Sequence, residues 1–152
     1  MGRRMDLILW RHADAEEGPS DAARALTPKG HQQAVRMAAW LNARLAEEAR
    51  IIASPAVRAQ QTAQALSREV ETSRLVSTEA QPAAILQAAG WPEAAGTVVV
   101  VGHQPTLGAA AALAVTGRAA AWRVKKGAVW WISVRAGESM PAIVAVMTPD
   151  LL

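Results

Sequence analysis

The order of apolar runs and helical patterns in this 152-residue chain predicts an α/β protein. The expected form is a three-layer α/β/α sandwich with a mostly parallel central sheet and an antiparallel hairpin at its C-terminal edge. Two observations carry the prediction. Short continuous apolar runs at residues 5–10, 51–53 and 98–101 alternate with stretches of helical periodicity, the pattern of parallel strands joined by crossover helices. From residue 127 onward the alternation stops, and one apolar stretch leads to the next through a turn with no helix between.

Met5–Trp10 (MDLILW) is apolar but for Asp6, as suits a strand covered on both faces. In LTPKG, Thr27 reads as an N-cap and Pro28 as the first helical residue. Ala34, Met37, Ala38, Leu41 and Leu45 then recur at helical spacing, with Arg36 and Arg44 off that stripe. Ile51–Ala53 is a short buried strand. Ser54 follows as N-cap and Pro55 as the first residue of a helix carrying Ala59, Ala63 and Leu66 on one side. Residues 71–81 read as a short strand around Arg74–Val76 and then a loop, and Pro82–Ala89 as a short helix closed by Gly90.

Four consecutive valines, 98–101, form a central buried strand that Gly102 and His103 end, and Pro105 opens an alanine-rich helix. GAVWWISVRAGESMPAIVAVM gives the two hairpin strands, with a turn around Ala136–Ser139. Trp130 and Trp131, adjacent on a strand, must face opposite ways and pack on both faces of the sheet. Trp10, Trp40, Trp91 and Trp122 read as core or rim residues.

Composition narrows the function classes. Hydrophobic residues make up 51% and charged residues 19%, as in one ordinary globular domain spanning 1–152, and no linker or repeat divides the chain. The formal net charge is only +3, so the sequence pI of about 10.2 reflects the absence of Cys and Tyr rather than a basic patch. Only Arg3-Arg4 and Lys125-Lys126 are adjacent basic pairs, which argues against nucleic-acid binding. Lys125-Lys126 reads as a solvated turn, with contact to an acidic partner as the alternative. Without cysteine there is no disulfide, thiolate nucleophile or zinc-thiolate site, and His31 has no second histidine at ligand spacing, so no metal and no cofactor are expected. The apolar run before Arg11 is far shorter than the ~7–15 residues of a secretory signal or the ~20 of a membrane helix, so a cytoplasmic protein is expected. The oligomeric state is left open.

In open α/β sheets, ligands bind beyond the carboxyl ends of the strands. Three polar groups of residues fall there: Arg11-His12 after the first strand, Ser54 to Arg58 after the second, and Gly102-His103 after the valines. Arg11 and Arg58 would bring two permanent cations to one crevice, with the forked geometry that suits a phosphoryl dianion. Arg58 would also lie in the first turn of its helix, where free N–H groups favour an anion. Beside these cations His12 is expected to be neutral and nucleophilic. His103 would serve best protonated, donating to phosphoryl oxygens as charge builds, and the two rings should titrate as a coupled pair.

These residues resemble the histidine phosphatase superfamily, of phosphoglycerate mutase-like fold, named for an Arg-His-Gly triplet after the first strand. Here the triplet is Arg11-His12-Ala13, departing at Ala13. LTPKGHQQA, SPAVRAQQTA and VVVVGHQPTL extend the resemblance in the family's order. It implies that His12 is phosphorylated and that Arg11, Arg58 and His103 form the phosphate pocket. The chain has no room for a large cap insertion, and RHADA with ARALTPKG looks most like the SixA-type phosphohistidine phosphatases. Gln104 stands where the acid-phosphatase branch has aspartate.

The implied activity is metal-independent hydrolysis through a phosphohistidine at His12, acting on a phosphorylated protein. A small-molecule phosphomonoesterase is the second reading, with Glu79 as its proton donor, and a non-catalytic phosphate- or phosphoprotein-binding module is the third. Asp14, two residues beyond the nucleophile, is a candidate for orienting His12 or moving a proton, and Arg24 for lining the pocket mouth.

Overall fold

The computed structural model describes residues 3–152; the first two residues of the expected 1–152 domain lie outside the described residues. Six strands form one sheet in the order β3-β2-β4-β1-β5-β6. They are β1 (Arg4–Arg11), β2 (Arg50–Ala53), β3 (Glu71–Thr72), β4 (Gly96–Gly102), β5 (Val129–Arg135) and β6 (Ala142–Met147). β1, β2, β3 and β4 are parallel, while β5 runs antiparallel to β1 and β6 antiparallel to β5. The helices are α1 (Pro28–Asn42), α2 (Val57–Gln64), α3 (Pro82–Ala89) and α4 (Thr106–Thr116).

The period of two along the central strands sorts side chains into two cores. Leu7, Leu9, Val98 and Val100 join Ile85 and Leu86 of α3 and Leu107 and Ala110 of α4 on one face. Ile8, Trp10, Val99 and Val101 join Met37 and Leu41 of α1 and Ala59 and Ala63 of α2 on the other. The three-layer sandwich and its hairpin edge are therefore as expected, and an apolar run without alternation is what a sheet covered on both faces selects. Trp130 and Trp131 do point apart, Trp130 against Trp122 and Trp131 edge-on to Trp40. Asp6, the polar interruption of β1, is buried but accepts from Arg4 Nε at 3.0 Å and Trp131 Nε1 at 2.9 Å.

Local signals placed some boundaries well and others poorly. Thr27 caps α1, accepting from the Gly30 N–H at 2.9 Å, and Pro28 opens it. Gly90 closes α3 in the left-handed region. The helix after β2 starts at Val57, not at Pro55: the Ser54 hydroxyl accepts from the Ala56 N–H in a turn that precedes the helix, and it also meets His103 Nε2. Arg74–Val76 is a 3-10 turn rather than a strand: Ser73 caps it through the Leu75 N–H, and the strand lies earlier, at Glu71–Thr72, beside the end of β2.

Among the described residues no helix is long and apolar enough to cross a membrane.

Candidate active site

β1 and β4 run in parallel with Arg11 opposite Gly102, so His12 and His103, the residues that follow, emerge side by side above the sheet. The His12 N–H donates to the Gly102 carbonyl at 3.0 Å, locking the two strand ends together. The imidazole centroids are 5.2 Å apart, and both side chains are buried. Arg58, in the first turn of α2, brings its guanidinium to the same place, and Arg11 closes the side nearest β5. These four line a cavity of about 270 Å³, together with Asp21, Arg24, Thr78, Gln104 and Lys126.

The hydrogen bond to a carbonyl fixes the tautomer of His12. His12 Nδ1 lies 2.8 Å from the Ala13 carbonyl oxygen. A carbonyl only accepts, so Nδ1 carries the hydrogen and Nε2 of the neutral ring holds a free lone pair. His103 Nε2 lies 2.8 Å from Ser54 Oγ, a buried hydroxyl that also accepts from the Ala56 N–H, while His103 Nδ1 is buried without a partner. Burial above all holds His12 at about 4, helped by Arg58, Arg11 and Arg24 and opposed by its bond to Ala13. Burial, then His12 and the arginines, hold His103 at about 3.

Both rings are thus neutral in the free protein near neutrality. For His12 this is the expected state, though desolvation outweighs the cations as its cause. For His103, expected to serve best protonated, the free protein instead holds the ring neutral: burial comes first, and the charges of His12, Arg58 and Arg11 outweigh that of Asp21.

The arginines are held from behind. Arg58 donates from Nη1 to the Asp21 carbonyl at 2.6 Å and from Nη2 to the Asp21 carboxylate at 3.1 Å, and its Nε is buried and unpartnered. Arg11 Nη1 donates to the Val124 carbonyl at 3.0 Å, with its Nε also unpartnered. Arg24 joins the rim, donating to the Glu16 carbonyl and to the Asp21 carboxylate. Both arginine bonds hold the Asp21 carboxyl below the ordinary carboxylate range.

Of the accessory residues named from the sequence, only Arg24 lines the cavity. Asp14 does not touch His12: its carboxylate accepts from Thr27 Oγ1 at 2.8 Å and Lys126 Nζ at 2.9 Å, and the lysine rather than Asp14 borders the cavity. The solvated turn expected at Lys125-Lys126 is corrected to that extent. Glu79 is exposed and outside the lining, one residue past Thr78. His31 is exposed on α1.

Asp21, Thr62 and Gln104 are not site residues in the sequence reading, and Ser54 enters it only as the start of the Ser54-to-Arg58 group. Gln104 lines the cavity while accepting from the Gly108 N–H and donating to the Trp122 carbonyl. Thr62 Oγ1 accepts from the Ala13 N–H at 3.0 Å and donates to the Arg58 carbonyl at 2.8 Å, tying the loop after His12 to the turn that carries Arg58. The Thr in SPAVRAQQTA was the available signal for it. Ala13 itself causes no strain. Ser67 is the one non-glycine with positive φ among the described residues, and the Ala13 methyl packs with Leu26 and Ala34.

Residues 7–82 match the family model described as histidine phosphatase superfamily (branch 1). The phosphohistidine phosphatase SixA of Escherichia coli K12 is 32% identical over 114 residues, which is 68% of this chain and 70% of that protein. A structure of the protein histidine phosphatase SixA complexed with tungstate superposes with a TM-score of 0.83 at 23% identity, covering 97% of this chain and 99% of the other. A mutant phosphoserine phosphatase from Entamoeba histolytica, in complex with phosphoserine, superposes with a TM-score of 0.71 at 20% identity over 97% of this chain and 99% of the other. The two superpositions establish the shared fold.

Proposed function

Because this chain belongs to the histidine phosphatase superfamily, and is a phosphatase of that kind, we propose that it hydrolyses phosphohistidine on proteins through a phosphoryl group carried by His12. The observation behind the substrate class is the acid–base inventory of the cavity. Its one lining carboxylate, Asp21, is held ionised between Arg58 and Arg24 and has no proton to give. An alkyl phosphate expels an alkoxide, which calls for a general acid in the transition state. A phosphohistidine protonated on its distal ring nitrogen expels a neutral imidazole, whose own affinity for a proton centres near pH 6.5, and needs no carboxylic donor.

In the first step the Nε2 lone pair of His12 attacks phosphorus in line with the P–N bond. Solvent at the open mouth protonates the distal ring nitrogen of the substrate phosphohistidine before the P–N bond breaks, so the bonding pair returns to a neutral imidazole. Arg11, Arg58 and the Nδ1–H of His103 donate to the three equatorial oxygens as charge spreads over them. In this step the Ser54 hydroxyl donates to Nε2, which puts the hydrogen of the neutral ring on Nδ1. In the second step water attacks the phosphoryl group of His12, the P–Nε2 bond breaks, and inorganic phosphate leaves with the neutral ring restored. The Ala13 carbonyl holds the ring in the required tautomer through both steps. The setting proposed for this chemistry is a single domain without a cap, in the cytoplasm.

Mixing the protein with a radiolabelled histidine-phosphorylated protein should trap an acid-labile phosphoenzyme that His12→Ala does not form. Turnover should be unchanged by chelator and should exceed that of aryl and alkyl phosphomonoesters. Equal rates on alkyl phosphates would overturn the substrate assignment while leaving the phosphoenzyme intact.

A further inference from the structure

Lys125 and Lys126 face two different spaces. Lys126 borders the catalytic cavity, whereas Lys125 lines a separate groove of about 350 Å³ with Arg123, Trp130, Val146, Thr148 and Leu151. The groove lies at the sheet edge, where β6 is the last strand and four of its six residues are exposed. Val146 pairs with Trp130 and Ile143 with Ile132, so these side chains share the face occupied further in by α3 and α4. Neither helix reaches this far, and Ile143, Val146 and Leu151 are 45%, 49% and 75% exposed. Arg123 and Lys125 are exposed and make no ion pair among the described residues, and no carboxylate lines the groove. An apolar strip bordered by unpaired cations is an unpartnered surface whose complement is apolar and acidic.

We propose that this groove is the docking surface for the phosphorylated protein, which presents an apolar side chain flanked by carboxylates beside its phosphohistidine. The inference rests on the phosphohistidine reading of the cavity. Its occupant follows from continuity. The two lysines are consecutive, Arg11 donates to Val124 between the two spaces, and the charge of Arg123 is felt at Arg11. A phosphoryl group displayed on a protein reaches His12 only when that protein's surface comes down over the rim, and Lys125 of the groove is the immediate neighbour of Lys126 on that rim.

The test compares two phosphohistidine peptides of equal length, one with leucine and glutamate around the phosphorylated residue and one with serine and lysine, alongside free phosphoramidate. The wild-type protein should favour the acidic, apolar peptide in kcat/KM by about ten-fold, on the order of one or two good rim and apolar contacts. Lys125→Glu and Leu151→Asp, both at exposed positions, should erase that preference through KM and leave phosphoramidate turnover unchanged.

Equal treatment of the two peptides by the wild type overturns the docking proposal, as does a matching loss on phosphoramidate. Leu151-dependent dimers, or Lys125-dependent pelleting with anionic vesicles, with the peptide preference intact in the variants, would assign the groove to a second copy or a membrane surface instead. Turnover of phosphoramidate without either peptide would sink the docking proposal together with the assignment of protein phosphohistidine as substrate. Turnover of neither compound class would remove the phosphohistidine reading and the docking proposal with it.

Discussion

His12 and His103 are the residues whose protons the rest of the protein controls most tightly. Each is buried without a carboxylate against its ring, and each sits well below its ordinary 6.5. The sign of the consequence is fixed by linkage: between pH 6.5 and about 4 the unfolded chain binds protons that the native protein refuses, so stability is complete above 6.5 and drains away as pH falls toward 4. For His12 alone that interval corresponds to on the order of 3 kcal/mol. Thermal melts from pH 7.5 to 4 should show the decline, and His12→Asn should shallow it. The acid limb of kcat/KM should likewise lie near pH 4 rather than 6.5, because protonation removes the nucleophilic lone pair.

Asp21 is the other residue with leverage, since it grips Arg58 through both its carbonyl and its carboxylate. Asp21→Asn keeps the first bond and weakens the second, and should lower kcat/KM on the order of ten-fold by loosening the guanidinium. His12, His103, Arg11 and Arg58 could be named from sequence because each stands at a strand's end or in a helix's first turn. Asp21 could not, because the contact that ties it to the site is with a residue 37 positions away.

Elements are joined to one another near the site by side chains that satisfy backbone. Thr62 connects α2 to the loop after β1, and Thr62→Val would keep the shape but leave the buried Ala13 N–H without an acceptor, at about 1–3 kcal/mol. Urea denaturation measures this directly, and phosphoryl transfer should slow as the loop bearing His12 loses its anchor. Gly30 performs a related task in α1: a Cβ there would collide with the backbone of Asp14, so this helix and that loop approach through a glycine. Gly30→Ala should cost about 1–3 kcal/mol or more by the overpacking it forces.

The α1 start was legible because its cap is local, Thr27 to Gly30. The α2 start was not, because Ser54 and Pro55 form a turn ahead of the helix, the Ser54 hydroxyl being shared between the Ala56 N–H and a histidine 49 residues on. The 3-10 turn at Arg74–Val76 was missed for a different reason. Two residues of β3 suffice to pair with β2, and so short a strand has no period to read.

At the scale of the molecule, four cations and two neutral rings face one cavity, and an anion bound there should stabilise the whole fold. Inorganic phosphate at a hundred times its Kd should add about 2.7 kcal/mol. That raises Tm by roughly 5–10 °C for a chain of this size, which calorimetry would show, and Arg58→Ala should abolish the gain. The sandwich itself could be read from the order of runs, since both-face burial leaves an unmistakable apolar block in Val98–Val101. What escaped was the lateral order of the strands, which no local pattern encodes.

That order has a consequence for how the protein is made. β1 is synthesised first, yet its two neighbours in the sheet, β4 and β5, begin at residues 96 and 129. A ribosome therefore releases the Leu7–Trp10 segment long before either flank exists, and the nascent chain must carry it unpaired through most of translation. The two imidazoles come together only once β4 has emerged, so a truncated product ending short of Gly102 carries His12 with no second ring to face it.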